Sequence, residues 1–450
     1  MVTHAKVILW GKVVGLVVWD DRLQRASFQF DRSFTRSGLD VAPVMMPLAK
    51  ARGGEEIFIF GNSRDETFKG LPGMLADCLP DRFGDTLLNA WLSEQKRELA
   101  NPVEKLCFLG HRGMGALEFE PSHSELEASS EALQVDELVR VARRVLTERE
   151  KFSTSRKKGP PSQRFGGLSD KEALMDIIQV GTSAGGARAK AIVAYNHTTG
   201  EVRSGQISRS TAGGMEGFTY CLIKFDGVTN ASLGDPKGYG RIEYAYHLMA
   251  VASGISMMPC TLLEENGRAH FLTQRFDRVQ HAKTGETVRL HMATLCGLGH
   301  LDYNDPVRHS YADAFAMMRL LGLPYPDAAE LFRRMCFNVI ARNCDDHTKN
   351  TSFLMDPQGQ WHLSPAYDIT FAYDPKNIWL RQHQMSINGK RTDITRDDLL
   401  AVAKDIGIKK AEAIIDEVKA GVKTWKKCAK KAEVDAKQEE AIRKMHLTRL

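Results

Sequence analysis

The sequence predicts an α+β fold made of three successive parts. Short alternating apolar runs next to turn residues indicate strands within the first 60 residues. A glycine-rich stretch with two β-like runs follows between residues 169 and 240. From residue 243 onward, apolar residues recur at helical spacing, and a Lys/Glu/Ala-rich tail ends the sequence. This order predicts a small β-containing N-terminal part, a mixed middle part and an α-helical C-terminal part.

The composition is that of an ordinary globular protein. The 450 residues are 43% hydrophobic and 26% charged, which excludes collagen-like, low-complexity and wholly disordered chains. A net charge of +5 is too small to indicate nucleic-acid binding by itself. The 8 cysteines form no CxxC pair, so we expect reduced thiols rather than a zinc site or a disulfide framework. No apolar run is long enough to cross a membrane, so we expect a soluble cytoplasmic protein without membrane partners.

The N-terminal strands are predicted from the alternation of apolar and polar residues, and a break between two helices is predicted from one proline. We predict strands at residues 7–10, 13–19, 26–30 and 57–60. Apolar residues between Leu71 and Trp91 share a helical side, and Pro80 is expected to split that stretch into two helices. An acidic stretch over about residues 116–137, followed by a basic stretch over residues 140–158, predicts a linker with a surface helix. We therefore expect an N-terminal domain, a linker, a middle part and a helical part at 1–120, 121–165, 166–280 and 281–450.

The middle and C-terminal elements are predicted from β-like runs and helical periodicity. We expect strands at 191–195 and 218–225, then a mobile loop of turn composition at 227–240. Helices are predicted from Glu243 to Ser253 and over 311–321 and 328–341. A strand pair is expected at 351–355 and 361–364, and the tail from residue 398 should be helical.

The sharpest motif comes directly after the predicted helix 328–341. Asp345 and Asn350 are five positions apart, and Asp368 follows the predicted strand pair. This is the layout of a protein-kinase catalytic centre, in which one Asp orients the attacking hydroxyl while the Asn and the second Asp bind Mg²⁺. Alone, an Asp-x4-Asn string would more often be a polar turn capping a helix. Asp346 could also be the base, but the five-residue step to Asn350 favours Asp345.

Three upstream features stand in the order found in kinases. Residues 181–190 are a small-residue loop whose amides could approach phosphate oxygens, with Arg188 or Lys190 supplying positive charge. Lys224 lies among apolar residues of a predicted strand, and Glu243 could pair with it. Each feature alone has an ordinary explanation: a hairpin turn, an edge-strand lysine, or a glutamate favoured in the first turn of a helix. Their serial order predicts a protein-kinase-like fold that binds ATP and Mg²⁺.

Five strings of residues also carry a family resemblance: Ser183-x2-Gly-x-Arg-x-Lys190, Leu222-Ile223-Lys224-Phe225, Gln274-Arg275-Phe276-Asp277-Arg278, Asp345-Asp346-His347-x-Lys349-Asn350 and Pro365-x-Tyr367-Asp368. They closely resemble the HipA family of serine/threonine kinases, which are toxins of bacterial type II toxin–antitoxin systems. The resemblance covers roughly residues 5–400 and includes Leu79-Pro80-Asp81 of the N-terminal part. It implies that the α+β fold is HipA-like and that the middle part binds nucleotide.

The resemblance implies a role for each candidate site residue. Asp345 would be the catalytic residue, with Asn350 and Asp368 as metal ligands, in agreement with the spacing argument. Ser183 would be the autophosphorylated serine, and its phosphate would be repelled by the ATP phosphates held in the same loop. His347 is not expected to bind metal, because no second His or Cys lies at ligand spacing. The resemblance also implies a set of nucleotide-binding residues. They are Gly185, Gly186, Ala187, Arg188 and Lys190 of the phosphate loop; the strand residue Lys224; Gln274 and Phe276 of the hinge; and His347, Lys349, Asn350 and Asp368.

The same resemblance implies a substrate and a partner. The substrate would be a translation component such as an aminoacyl-tRNA synthetase, and its phosphorylation would arrest growth. The partner would be a helix-turn-helix antitoxin (HipB-like), which brings in operator DNA indirectly.

Two alternatives stay open at this point. A small-molecule phosphotransferase of the aminoglycoside type shares the Asp-x4-Asn logic but predicts no modification of Ser183. A non-catalytic co-repressor would only strengthen the DNA binding of an antitoxin. It predicts that Asp345→Asn leaves every phenotype intact.

Overall fold

A computed structural model describes most of the sequence, namely residues 2–61, 65–97, 99–122, 132–154, 177–178, 188–206, 216–228, 238–280, 286–305 and 307–450. Four predicted site residues lie outside the described residues: Ser183, Gly185, Gly186 and Ala187. Much of the predicted linker and of the predicted loop 227–240 lies outside them as well. Across the described ranges, no helix has both the length and the apolar character needed to span a membrane.

The N-terminal domain is built on a five-stranded antiparallel sheet. Its strands are β1 (His4–Leu9), β2 (Lys12–Asp20), β3 (Arg25–Phe30), β4 (Ile57–Ile59) and β5 (Leu117–Glu120). The spatial order is β4-β3-β2-β1-β5. Alternation places Ala26, Phe28 and Phe30 of β3 in the core. The four strands predicted before residue 61 are confirmed.

Four helices accompany this sheet. They are α1 (Gly73–Ala76), α2 (Arg82–Glu94), α3 (Pro102–Leu109) and α4 (Val135–Thr154). The predicted break at Pro80 is confirmed, since Pro80 lies between α1 and α2 and Asp81 caps α2 by accepting the N–H of Gly84. Helix α4 packs against α2 and the middle sheet through apolar residues that include Leu138, Val141, Ala142 and Val145.

A second five-stranded antiparallel sheet forms the middle part. Its strands are β6 (Lys190–Tyr195), β7 (Val202–Ser204), β8 (Thr219–Lys224), β9 (Cys260–Glu265) and β10 (Arg268–Gln274), in the spatial order β7-β6-β8-β10-β9. Helix α5 (Tyr239–Ala252) packs on β10. The predicted start at Glu243 is wrong, because Gly240, which resembles a turn residue in the sequence, lies inside the helix and allows close contact with β10.

The remaining strands form two small antiparallel sheets. One pairs β11 (Arg278–Gln280) with β12 (Thr287–Arg289), and the other contains β13 (His291–Thr294), β14 (Ser352–Met355) and β15 (Trp361–Leu363). The predicted strand pair after residue 350 is therefore confirmed.

The C-terminal part is helical and contains the largest core. Its helices are α6 (Leu295–Gly299), α7 (Tyr311–Leu320), α8 (Tyr325–Ile340), α9 (Arg396–Ile406), α10 (Ala411–Val422), α11 (Trp425–Lys431) and α12 (Ala436–Met445). The core joins α5 to these helices around Tyr246, Phe332, Phe337 and Trp425. The predicted helices over 311–321 and 328–341 and the helical tail are confirmed. The loop after α8 and the turn after β15 lie next to the middle sheet, where the predicted site residues meet.

Candidate active site

A buried lysine between two carboxylates forms the centre of the site. Lys224, the last residue of β8, donates hydrogen bonds to Glu243 of α5 and to Asp368. Burial lowers the pKa of Lys224, but Asp368 and Glu243 outweigh burial and hold that pKa above its usual value. Burial raises the pKa of Asp368, but Lys224 and then Lys190 outweigh it and lower that pKa to about 2. Lys224 therefore stays cationic and Asp368 stays anionic near neutral pH.

Two further cations lie beside this centre. Arg188 Nη1 is 3.3 Å from Glu243 Oε2, and its guanidinium stacks over the Tyr239 ring at 4.6 Å. Lys190 opens β6 and is paired directly across the sheet with Lys224. Residues paired in this way project their side chains from the same face of a sheet. The structure thus brings together three of the basic residues that the sequence predicted to bind phosphate.

The Asp-x4-Asn loop presents one aspartate to solvent. The side chain of Asp345 is 49% exposed, whereas that of Asp346 is 1% exposed. Asn350, in a 3₁₀ turn at Thr348–Asn350, donates from Nδ2 to the backbone oxygen of Asp345 at 2.6 Å. This hydrogen bond closes the loop and leaves the Asp345 carboxylate accessible.

Asp346 is held in the interior by three donors. Its Oδ2 accepts the Tyr311 hydroxyl at 2.9 Å and His383 Nδ1 at 2.8 Å, and its Oδ1 accepts the N–H of Gln384 at 2.7 Å. Burial lowers the pKa of His383, but Asp346 outweighs burial and raises it to about 10. A carboxylate engaged in this way is not available to a substrate hydroxyl. The geometry therefore favours Asp345 over Asp346 as the base.

His347 and Lys349 both lie against Tyr303. The His347 ring is 5.4 Å from the Tyr303 ring, and Lys349 Nζ lies 4.8 Å over it. His347 Nε2 is 3.8 Å from Asp345 Oδ1. The Tyr367 hydroxyl donates to the backbone oxygen of Lys349 at 2.6 Å, which ties the residue before Asp368 to the loop. That His347 and Lys349 contact a nucleotide stays a prediction.

Asn350 and Asp368 offer oxygen ligands that suit a hard cation. Because Asn350 Nδ2 is bonded to the Asp345 backbone, its amide oxygen is the atom left to face a ligand. Within the described ranges, no group of three or more His, Cys, Asp or Glu side chains could hold a metal by itself. A cation at Asn350 and Asp368 would need further oxygens, which phosphates and water supply to Mg²⁺ in nucleotide sites. The residues present thus fit Mg²⁺ bound together with a nucleotide.

The predicted hinge begins at Gln274, the last residue of β10. The backbone N–H of Gln274 donates to Pro259 at 3.0 Å, and that of Arg275 donates to Tyr220 at 2.8 Å. No described residue accepts a hydrogen bond from the N–H of Phe276, whose ring lies 5.6 Å from that of Tyr367. Of the hinge residues, Phe276 therefore offers the backbone donor that an adenine ring could use.

Sequence reasoning missed three buried acids around this site. In the sequence, Asp346 is recognisable only as a rival to Asp345, and Asp81 and Asp277 only as members of residue strings that resemble the HipA family. Asp81 Oδ2 lies 3.5 Å from Lys190 Nζ. Asp277 accepts hydrogen bonds from Arg275 and from the backbone N–H of Gly115, which lies 162 positions earlier in the sequence, in the N-terminal domain. Their membership in those strings was the one available signal, because burial and distant partners leave no periodic pattern in a single sequence.

The fold and the site together define a protein-kinase-like α+β protein. A strand lysine joined to a helix glutamate and an Asp-x4-Asn loop in a helical part are the features of that class. The family model of the HipA-like C-terminal domain matches residues 182–425, and that of the HipA N-terminal domain matches residues 5–120. The chain belongs to the HipA family.

Two relatives extend this comparison. A chain in the solved complex of Shewanella oneidensis MR-1 HipA, HipB and operator DNA is similar in fold, with a TM-score of 0.62 and 16% identity over 98% of this chain and 94% of that one. A protein of Sinorhizobium fredii (strain NBRC 101917 / NGR234) named "Putative kinase Y4mE" is 32% identical over 132 residues. That match spans 28% of this chain and 31% of the relative.

Proposed function

We propose that this protein is an ATP-dependent serine/threonine-protein kinase that acts as the toxin of a type II toxin–antitoxin module. One observation carries the proposal: buried Lys224 is bonded to Glu243 and Asp368, and an exposed Asp345 stands in the same loop as Asn350. Phosphoryl transfer needs positioned cations, oxygen ligands for a metal and a separate carboxylate for the acceptor hydroxyl. The described residues supply each of these groups.

In this proposal, the cations bind the nucleotide phosphates. Lys224, Lys190 and Arg188 neutralise phosphate charge, and the Phe276 N–H donates to the adenine ring. Asn350 and Asp368 would hold Mg²⁺, which when bound would neutralise charge on the phosphate oxygens. The Lys224–Glu243 pair fixes the lysine ammonium, so little reorganisation is required during transfer.

Asp345 acts on the acceptor. Its carboxylate accepts a hydrogen bond from a Ser or Thr hydroxyl and takes the proton as the hydroxyl oxygen attacks the γ-phosphorus. A bond forms between that oxygen and phosphorus, and the bond between phosphorus and the leaving ADP oxygen breaks. His347 Nε2, 3.8 Å from Asp345 Oδ1, lies within electrostatic range of the carboxylate.

Family membership supports our proposals for the substrate, the regulation and the partner. The proposed substrate is a translation component such as an aminoacyl-tRNA synthetase, and autophosphorylation of Ser183 inactivates the kinase by charge repulsion. The proposed partner is a HipB-like helix-turn-helix antitoxin, through which the complex reaches operator DNA. The Shewanella complex of HipA, HipB and operator DNA, which shares the fold, supports this choice of partner.

Intact-mass spectrometry with Mg-ATP tests the proposal. Phosphatase-treated wild type should gain one phosphate, mapped to Ser183, and Asp345→Asn should gain it about 10²- to 10⁴-fold more slowly because the base is lost. Phosphate transfer to an aminoglycoside without modification of Ser183 would favour a small-molecule phosphotransferase. No phosphate transfer by the wild type, together with an intact repression phenotype in Asp345→Asn, would favour the non-catalytic co-repressor.

A further inference from the structure

We propose that Asp81 of the N-terminal domain is a positioning residue for the nucleotide phosphates, because its carboxylate fixes Lys190 within the site. The inference rests on the proposed function, in which Lys190 binds phosphate. It adds that the N-terminal domain supplies one charged group on which nucleotide binding depends.

The pairing of two lysines is the first observation. Lys190 and Lys224 lie directly opposite each other on β6 and β8, and each is at least 90% buried. Like charges at opposite positions of a sheet repel each other, and burial adds a desolvation cost. Each lysine therefore needs an anion of its own. Lys224 is bonded to Glu243 and Asp368, whereas the carboxylate of Asp81 lies beside Lys190, with Nζ and Oδ2 3.5 Å apart.

The two oxygens of Asp81 have separate contacts. Oδ1 accepts the N–H of Gly84 at 2.7 Å and so caps α2, whereas Oδ2 lies beside Lys190. The side chain of Asp81 is 4% exposed, and that of Lys190 is 2% exposed. Burial lowers the pKa of Lys190, and Asp81 is the foremost of the carboxylates that oppose this. Burial raises the pKa of Asp81 to about 6, and Lys190 opposes this rise, so the carboxylate is mostly ionised at neutral pH. The more distant carboxylate of Asp368 also favours the charged lysine. The ion pair with Asp81, at 3.5 Å, restrains the position of the buried ammonium.

Packing and a proline position the backbone around Asp81. Pro80 fixes the approach to the helix, and α2 begins at the next residue after Asp81. Phe83 and Leu87 of α2 are fully buried in the same cluster as Ala191 and Val193 of β6. Packing therefore holds α2 against the strand that starts with Lys190, and the carboxylate is carried to the lysine by an element of the N-terminal domain.

The alternative is that Asp81 only caps α2. Asp81→Asn separates the two roles, because asparagine is an equally good N-cap but has no charge to offer Lys190. Asp81→Ser serves as a second variant that also retains a capping oxygen. Asp435→Asn is the matched control, because Asp435 caps α12 at an exposed position far from Lys190 along the chain.

The experiment measures binding of ATP and of adenosine to the full chain by calorimetry. All proteins carry Asp345→Asn to prevent turnover, and the parent is this single variant. We expect Asp81→Asn to weaken ATP binding about 10-fold and to leave adenosine binding unchanged, because adenosine has no phosphate for Lys190 to hold. In a Lys190→Met background, Asp81→Asn should cause no further loss of ATP affinity. Asp435→Asn should alter neither ligand.

Three outcomes would overturn the inference. These are an unchanged ATP affinity in Asp81→Asn and Asp81→Ser, an equal loss for ATP and adenosine, or a full additional loss in the Lys190→Met background. If the parent binds no ATP at all, the proposed function fails as well. If the parent binds ATP and any of the three outcomes occurs, only the role of Asp81 is refuted.

Discussion

The two adjacent aspartates Asp345 and Asp346 have different roles because their surroundings differ. Asp345 is half exposed, whereas Asp346 is buried and bonded to Tyr311, His383 and Gln384. The five-residue step to Asn350 favoured Asp345 in the sequence, but it could not show what Asp346 does. In the structure, Asp346 joins the Asp-x4-Asn loop to residues 383 and 384, which return to the core after the segment that follows Asp368.

Asp346→Asn should therefore destabilise the protein by about 3 kcal/mol, because it leaves buried His383 without its anion. Urea unfolding measures this loss. The matched control is the neighbouring Asp345→Asn, which should slow phosphate transfer about 10²- to 10⁴-fold without measurable loss of stability, since half of its side chain is exposed. The opposite pattern, with activity lost in Asp346→Asn and stability lost in Asp345→Asn, would reverse the two assignments.

The same pair gives a pH dependence of known sign. The folded pKa of His383, about 10, lies above its usual value of about 6.5. Its stabilising contribution is therefore fully present below about pH 6.5 and is lost as pH rises toward 10. The free energy of unfolding of the wild type should fall over this range more steeply than that of Asp346→Asn. Parallel pH profiles for the two proteins would contradict the buried ion pair.

Residues that act through local spacing could be predicted from the sequence. Lys224 lies in a predicted strand, Asn350 lies five positions after Asp345, and Asp368 follows the predicted strand pair. The partner of Asp346, His383, could not be predicted, because 37 residues separate them and no periodicity links the two positions. Lys190 was predicted from its loop, whereas its partner Asp81 comes from another domain.

At the scale of elements, residue periodicity predicted most strands and helices. The prediction that failed was the start of α5, which begins at Tyr239 rather than at Glu243. A sequence that ends a glycine-rich stretch at Gly240 resembles a turn. In the structure, Gly240 is helical because a side chain there would collide with the neighbouring strand: a Cβ would lie 2.0 Å from the backbone oxygen of Ala269. The glycine permits contact between α5 and β10, and that contact places Glu243 beside Lys224.

Gly240→Ala should push α5 away from β10 and destabilise the protein by about 2 kcal/mol through over-packing. Because Glu243 lies three residues further along the same helix, ATP affinity should fall as well. Thermal unfolding and nucleotide titration measure the two effects. Val251→Ala is the control on this helix, since Val251 is exposed and should alter neither quantity. A Gly240→Ala protein with wild-type stability would show that the close contact is unnecessary.

At the scale of the whole molecule, buried acids connect the N-terminal domain to the remainder. Asp77, directly after α1, accepts the backbone N–H of Thr294 at 2.8 Å, and Asp81 lies beside Lys190. Asp277, directly after the hinge, accepts the N–H of Gly115 at 2.6 Å. The sequence predicted an N-terminal domain, a linker, a middle part and a helical part, but it could not show that charged groups join them. Contacts across 100 residues or more leave no trace in composition or spacing.

Asp277 should be the most important of these connections. It is fully buried between Arg275 and Arg278, and both arginines also donate to the backbone oxygens of residues 113–115. Burial raises the pKa of Asp277, but the two arginines outweigh burial and hold that pKa well below its usual range. Asp277 is therefore charged at neutral pH, and its loss would leave two buried guanidinium groups without their anion.

Asp277→Asn should cost about 4 kcal/mol, as expected when one partner of a buried ionic cluster is removed. Since the cluster spans the boundary between domains, we expect calorimetry to show two unfolding transitions in place of one, the N-terminal domain unfolding apart from the rest. Asp416→Asn is the control, because it breaks an exposed ion pair between Asp416 and Arg396 within the helical part. This variant should keep a single transition. A single transition at the wild-type temperature in Asp277→Asn would mean that apolar packing, rather than this cluster, holds the domains together.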